Sequence, residues 1–129
     1  MSDETSTIVT GVRTIGVPVT DQDRALDFYT GRLGLQKRVD LPLEQLGGRW
    51  IEVGSSGSEV SLALVPAREG TPSGVDTGIR LTSADAAAAH AALAEAGVEI
   101  GDLLQWPGTP PMFAVSDQDG NKLEIVEQR

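Results

Sequence analysis

From Arg13 onward Ile15, Val17 and Val19 fall on one parity and Thr14, Gly16 and Pro18 on the other. That alternation predicts a strand with one face on a core and a second, smaller face turned elsewhere. Thr20 or Asp21 then offers a helix N-cap, and Ala25, Phe28, Tyr29 and Leu33 recur at helical spacing until Gly34 stops the run, which predicts a helix of about four turns. Three strand-like runs follow over residues 35–41, 49–53 and 60–65, separated by Gly47-Gly48 and by Ser55-Ser56-Gly57-Ser58. The unit reads β-α-β-β-β.

After a Pro/Gly-rich stretch the pattern starts again. Ile79 and Leu81 alternate with Asp76, Gly78 and Arg80. Ser83 offers a cap for a helix with the stripe Ala89, Ala92, Leu93 and Ala96, and Gly97 ends it. Residues 98–103, 112–115 and 122–126 read as three more strands, the last two joined by the turn Asp117-Gln118-Asp119-Gly120-Asn121. The halves superpose at an offset of about 62 to 63 positions with Gly34 on Gly97, Val17 on Ile79 and Leu62 on Ile125. The predicted architecture is therefore α+β: two paired β-α-β-β-β modules form curved mixed sheets around a cavity, with helices outside. Module one spans 11–66, a linker 67–75 and module two 76–127, all within one domain over 9–129, preceded by a polar, disordered tail over 1–8.

Composition narrows the function. The chain has 129 residues, 10 basic and 19 acidic, a formal net charge of −9. Scattered positive charge offers no surface to collect phosphates, which argues against nucleic acid and anionic membranes as partners. No stretch approaches the roughly 20 apolar residues of a membrane span, and the N-terminus lacks signal-peptide character, so a cytoplasmic protein is expected. Without cysteine there is no disulfide, thiolate metal site or cysteine nucleophile. His90, the single histidine, lies on the flank of the alanine-rich helix, where it reads as a partly exposed structural residue; a Ser/His/Asp triad is thereby excluded. Neither glycine pair has the glycine-lysine spacing of a phosphate loop.

Strand parity supplies the site candidates. Trp50 and Glu52 alternate with Ile51 and Val53, Arg80 lies between Ile79 and Leu81, and Glu124 between Leu123 and Ile125. All four are expected on the inner face of their sheets. Trp50 there can stack on a planar ligand or fill the sheet, and Arg80 can pair with Asp76 or Glu124 or receive an anionic ligand group.

The run Val17-Pro-Val-Thr-Asp-Gln-Asp-Arg-Ala-Leu-Asp-Phe-Tyr29, then Leu33-Gly34, and the run Asp117-Gln-Asp-Gly-Asn-Lys-Leu-Glu-Ile125, spaced around the repeat, resemble the vicinal oxygen chelate superfamily of glyoxalases, fosfomycin- and bleomycin-resistance proteins and ring-cleaving dioxygenases. The resemblance covers nearly all of residues 11–127. It implies that metal-dependent members hold a divalent ion through one residue in the first strand, one in the strand opening the second module and a glutamate in the last strand, the first two commonly histidines. Those positions fall here on Thr14, Asp76 and Glu124. Such a set implies no nickel, iron or zinc site, and at most a weakly bound manganese, magnesium or calcium ion at Asp76 and Glu124. The resemblance also places Trp106 on a loop at the cavity rim, with a lid or interface role equally open.

Three readings follow. The first is a small-molecule-binding protein without the usual metal site, whose small organic ligand, aromatic or anionic, meets Thr14, Trp50, Glu52, Arg80 and Trp106. The second is a divalent-metal-dependent lyase, isomerase or dioxygenase with Asp76 and Glu124 on the metal and Glu124 catalytic. The third is a drug-sequestering resistance protein. The alanine stripe and the incomplete sheets predict a homodimer.

Overall fold

The computed structural model describes residues 8–128, and the expected tail over 1–8 lies outside them except for Ile8. Seven strands and two helices follow in the order β1 (Thr14–Val19), α1 (Gln22–Asp27), β2 (Gln36–Leu43), β3 (Gly48–Gly54), β4 (Ser61–Pro66), β5 (Asp76–Ser83), α2 (Ala86–Glu95), β6 (Met112–Ser116) and β7 (Lys122–Glu127). Sheet one has the order β1-β4-β3-β2 and sheet two the order β5-β7-β6. In each sheet the first strand pairs parallel with the last strand of its own module, β1 with β4 and β5 with β7. The other pairings are antiparallel. Of the three prolines within strands, Pro18 and Pro42 lie on the two edge strands of sheet one, where proline is tolerated, and Pro66 is the last residue of β4.

The predicted parity holds. Val17, Val19, Ile51, Val53, Leu62 and Leu64 of sheet one join Ile79, Phe113, Val115, Leu123 and Ile125 of sheet two in one core, closed by Ala25 and Tyr29 on one side and Ala86 and Leu93 on the other. Helix α1 is shorter than the expected four turns. Asp21 caps it by accepting from the Arg24 N–H at 3.1 Å, and after Asp27 the chain continues as a π turn over Phe28–Arg32. The wide turn brings Tyr29, fully buried, onto the core. Both helical segments end on a glycine in the left-handed region, Gly34 at φ 79° and Gly97 at φ 81°, a conformation that costs a Cβ-bearing residue about 1 kcal/mol or more.

Two expectations are corrected. The cap of α2 is Asp85, which accepts from the Ala88 N–H at 3.0 Å, while Ser83 accepts from the Asp85 N–H one step upstream. The segment 98–103 runs beside β6 but forms no strand. Its bridge of Ile100 with Val115 and the next one along, Leu104 with Met112, are out of step by one residue, so the ladder cannot continue between them.

The two modules hold their last hairpins differently. In module one Arg38, at the register shift of β2, lies against Gly54 and donates to the carbonyls of Ser55 and Ser58. A Cβ on Gly54 would sit 2.5 Å from the guanidinium carbon, so glycine is what lets the arginine through. In module two the turn 117–121 is held by Asn121, fully buried, which reaches outside its own module. Its amide nitrogen donates to the Pro18 carbonyl at 2.8 Å and to Asp117 at 2.9 Å, and its oxygen accepts from the N–H groups of Gly74 and Val75 at 2.8 and 3.0 Å. Asp117 in turn accepts from the buried Tyr29 hydroxyl at 2.7 Å. Burial first, then the Asp117 carboxylate, raises the Tyr29 pKa far above the usual phenol range.

Candidate functional site

On β1, β4 and β3 the residues opposite in parity to the core form a continuous polar chain. Thr14 and Ser61 are directly opposed in the β1–β4 register, and their hydroxyl oxygens lie 3.0 Å apart. Ser61 donates to Glu52 Oε1 at 2.6 Å, and the Trp50 indole N–H donates to Glu52 Oε2 at 2.7 Å. Arg13 approaches the same Oε2 at 3.8 Å from solvent. Glu52 is buried, yet it is held below the usual carboxylate range, first by the Ser61 hydroxyl and then by the Trp50 indole, against the opposing effect of burial. The expected residues Thr14, Trp50 and Glu52 are thus brought together. Both Glu52 oxygens are committed to neighbours, so this carboxylate acts on Trp50 and Ser61 rather than on open space.

Beside this chain Gly16 leaves the surface bare: a Cβ built there meets nothing within 4 Å. Leu41 stands opposite Trp50 in the β2–β3 register and is 60 % exposed. Together Thr14, Gly16, Trp50 and Leu41 give sheet one an open face with an aromatic ring, an aliphatic side chain and one hydroxyl group. Ser61 was missed by sequence reasoning, although the signal was present: Leu62 is a core residue, and its neighbour must take the parity of Glu52.

The other candidates lie on sheet two. Arg80 and Glu124 are register partners and form an ion pair, Nε to Oε1 2.8 Å, with side chains 71 % and 37 % exposed. Asp76 accepts from the Gly78 N–H at 3.3 Å across a bulge in β5, where Gly78 takes φ 73°. Asp76, Arg80 and Glu124 line a cavity of about 160 Å³ with Gly78, Ile79 and Leu123. Trp106 stands apart on the 106–109 turn, 58 % exposed. His90 bonds the Gly101 carbonyl at 2.9 Å and stands edge-on to Phe113, a packing role on the helix flank.

The donor set does not suit a transition metal. Thr14 belongs to the Ser61–Glu52 chain, and the two carboxylates that remain share their cavity with the Arg80 guanidinium, which opposes a cation. Among the described residues no three His, Cys, Asp or Glu side chains converge as a metal-holding group. At the junction of the modules two further cavities, of about 220 and 210 Å³, share Leu35, Leu81 and Thr82 and are lined mainly by aliphatic side chains.

The family model of the glyoxalase/bleomycin resistance protein/dioxygenase superfamily matches residues 11–125. Among solved structures, the chain is similar to TnmS3, an antibiotic binding protein from Streptomyces sp. CB03234, with 31 % identity, 95 % of this chain and 99 % of that one covered, and a TM-score of 0.84. It is similar at 32 % identity to a glyoxalase/bleomycin resistance protein from the same Streptomyces strain, covering 90 % of this chain and 99 % of that one with a TM-score of 0.77. A superfamily member from Sphaerobacter thermophilus DSM 20745 is 31 % identical over 95 % of this chain and 100 % of that one, with a TM-score of 0.85. No curated protein matches the chain.

Proposed function

Because the chain belongs to the glyoxalase/bleomycin resistance protein/dioxygenase superfamily, we propose that it is a small-molecule-binding protein that sequesters an antibiotic-like aromatic compound without transforming it. One observation carries the reading. The first-strand position that would bear a metal-holding imidazole is Thr14, tied through Ser61 and Glu52 to the indole of Trp50. A hydroxyl beside a fixed aromatic ring orients and stacks a flat ligand, and it supplies neither a general base nor a Lewis acid. The similarity to an antibiotic binding protein supports the same reading.

The site is completed by a second copy. The sheet-one face around Trp50 and the sheet-two face around Arg80 are each open on one chain, and large apolar side chains, Ile8, Val9, Val12, Leu41 and Trp106, remain exposed. A homodimer setting one face against the other encloses a ligand between Trp50 of one subunit and the Arg80–Glu124 pair of its partner. The second reading, a divalent-metal-dependent lyase, isomerase or dioxygenase, is favoured by Asp76 and Glu124 lining one cavity.

The test is a thermal-shift and equilibrium-dialysis panel of aromatic antibiotics, with mass spectrometry of the recovered compound. Binding with quantitative recovery of unaltered compound is expected. Turnover, or one tightly held nickel, zinc or iron ion per chain after exhaustive dialysis, would overturn the proposal.

A further inference from the structure

The polar chain behind Trp50 has a direction, and it limits what the site can recognise. A serine hydroxyl has one proton, and Ser61 spends it on Glu52 Oε1 at 2.6 Å. The 3.0 Å contact between Thr14 and Ser61 therefore leaves one assignment: Thr14 donates and Ser61 accepts. The Trp50 N–H is likewise used on the other Glu52 oxygen. With its proton turned inward, Thr14 presents only lone pairs outward, and Trp50 presents only its ring faces.

From this we infer that the site selects flat aromatic ligands bearing a hydrogen-bond donor, a phenol or N–H, which Thr14 accepts while the ring lies against Trp50. Glu52 is the positioning residue: it touches no ligand and sets the polarity of the hydroxyl relay. The inference rests on the binding reading above and deepens it. Thr14 and Trp50 stand on strands separated by β4 and are also offset along them, since Glu52 pairs with Ala63 and Trp50 lies two residues further on, while Thr14 pairs with Ser61. The indole leans back toward Thr14 through its bond to Glu52, with the bare Gly16 between, so a ligand that bridges the two is a fused ring system rather than a single ring.

The role of Glu52 gives a sharp expectation for Glu52→Gln. The Trp50 N–H needs an acceptor, so the amide oxygen turns to Trp50 and its NH₂ group to Ser61. Ser61 then accepts from the amide and donates to Thr14, and the Thr14 proton points outward. The relay reverses while shape is conserved.

The probes are 7-hydroxycoumarin and 7-methoxycoumarin, which share one ring system and differ in a single donor, titrated calorimetrically into the full-length protein at pH 6. The wild type should bind the hydroxy compound about fivefold more tightly, the worth of one net hydrogen bond near 1 kcal/mol. Thr14→Val should erase that preference, so that the two coumarins bind this variant with equal affinity. Glu52→Gln should erase it by a different route, raising the affinity for 7-methoxycoumarin. Equal wild-type affinities, a preference untouched by Thr14→Val, or no binding of either coumarin would overturn the inference. The binding reading itself fails separately, if the antibiotic panel also yields no ligand. Should Glu52→Gln not fold, Thr14→Val still decides.

Discussion

Replacing Asn121 by alanine should cost the protein far more than a loop residue normally does. Truncation removes the acceptor of the Gly74 and Val75 N–H groups and the donor to the Pro18 carbonyl, and takes one of four donors from Asp117. Three backbone groups lose a partner, the Pro18 carbonyl at a buried position and the Gly74 and Val75 N–H groups at part-buried ones. Each such loss costs about 1 to 3 kcal/mol, so the raw sum is roughly 3 to 9 kcal/mol. Water entering the vacated space recovers part of it, which leaves an expected loss of at least about 3 kcal/mol from a total of roughly 5 to 15 kcal/mol. At roughly 4 °C per kcal/mol the melting temperature should fall by about 10 °C or more. Urea melts followed by far-UV circular dichroism at pH 7 measure this directly. Tyr29→Phe is the companion variant: it removes one bond from the same cluster and should cost about 1 to 2 kcal/mol. A loss below about 1 kcal/mol for Asn121→Ala, with an unchanged denaturant slope, would refute the idea that this side chain joins the modules.

The remaining predictions are independent of that one. Glu124→Gln should change stability by no more than about 1 kcal/mol in a denaturant melt, because its pairing with Arg80 is largely solvated; a loss of several kcal/mol would make the pair structural. Stability should fall on acidification. Asp40 is lowered to about 2, chiefly by its hydrogen bond from Arg49, and Glu52 is lowered by Ser61 and Trp50. Asp119 is lowered although burial works against it, because the Thr20 hydroxyl and N–H hold its charged form. In each case the unfolded chain takes up protons first, so the stabilisation is complete above the unfolded values of roughly 4 to 4.5 and is lost as pH falls toward 2. Thermal melts between pH 7 and 2.5 should show this, and Asp40→Asn should flatten the curve. Light scattering at micromolar concentration should return twice the chain mass, and a monomer mass would count against the shared site.

Much of this architecture was legible because each strand carries its own parity and each helix its own glycine stop. The β1 pattern of Ile15, Val17 and Val19 could be read directly, and the Gly34–Gly97 correspondence exposed the duplication. Residues 98–103 misled because Val98, Ile100 and Leu103 do pack on the core, while the one-residue slip that breaks the ladder is a property of two chain segments at once. The same limit applied to the site. Parity placed Trp50 and Glu52 on one face, but that Glu52 faces Ser61 and not a ligand depends on the offset between β3 and β4. The Asp117–Asn121 motif was visible as a turn. Its reach to Pro18, 103 residues away, was not.

The unequal anchoring of the two hairpin turns gives folding a direction along the chain. Arg38 ties the first turn using only atoms of the first half, so that turn can close once β4 has been made. The second turn waits for a carbonyl laid down a hundred residues earlier. A nascent chain can therefore close its first hairpin turn during synthesis, whereas the second turn is fastened last. A chain cut short before residue 121 would keep the ties of its first turn but lose the clamp that closes the second and partners the Pro18 carbonyl.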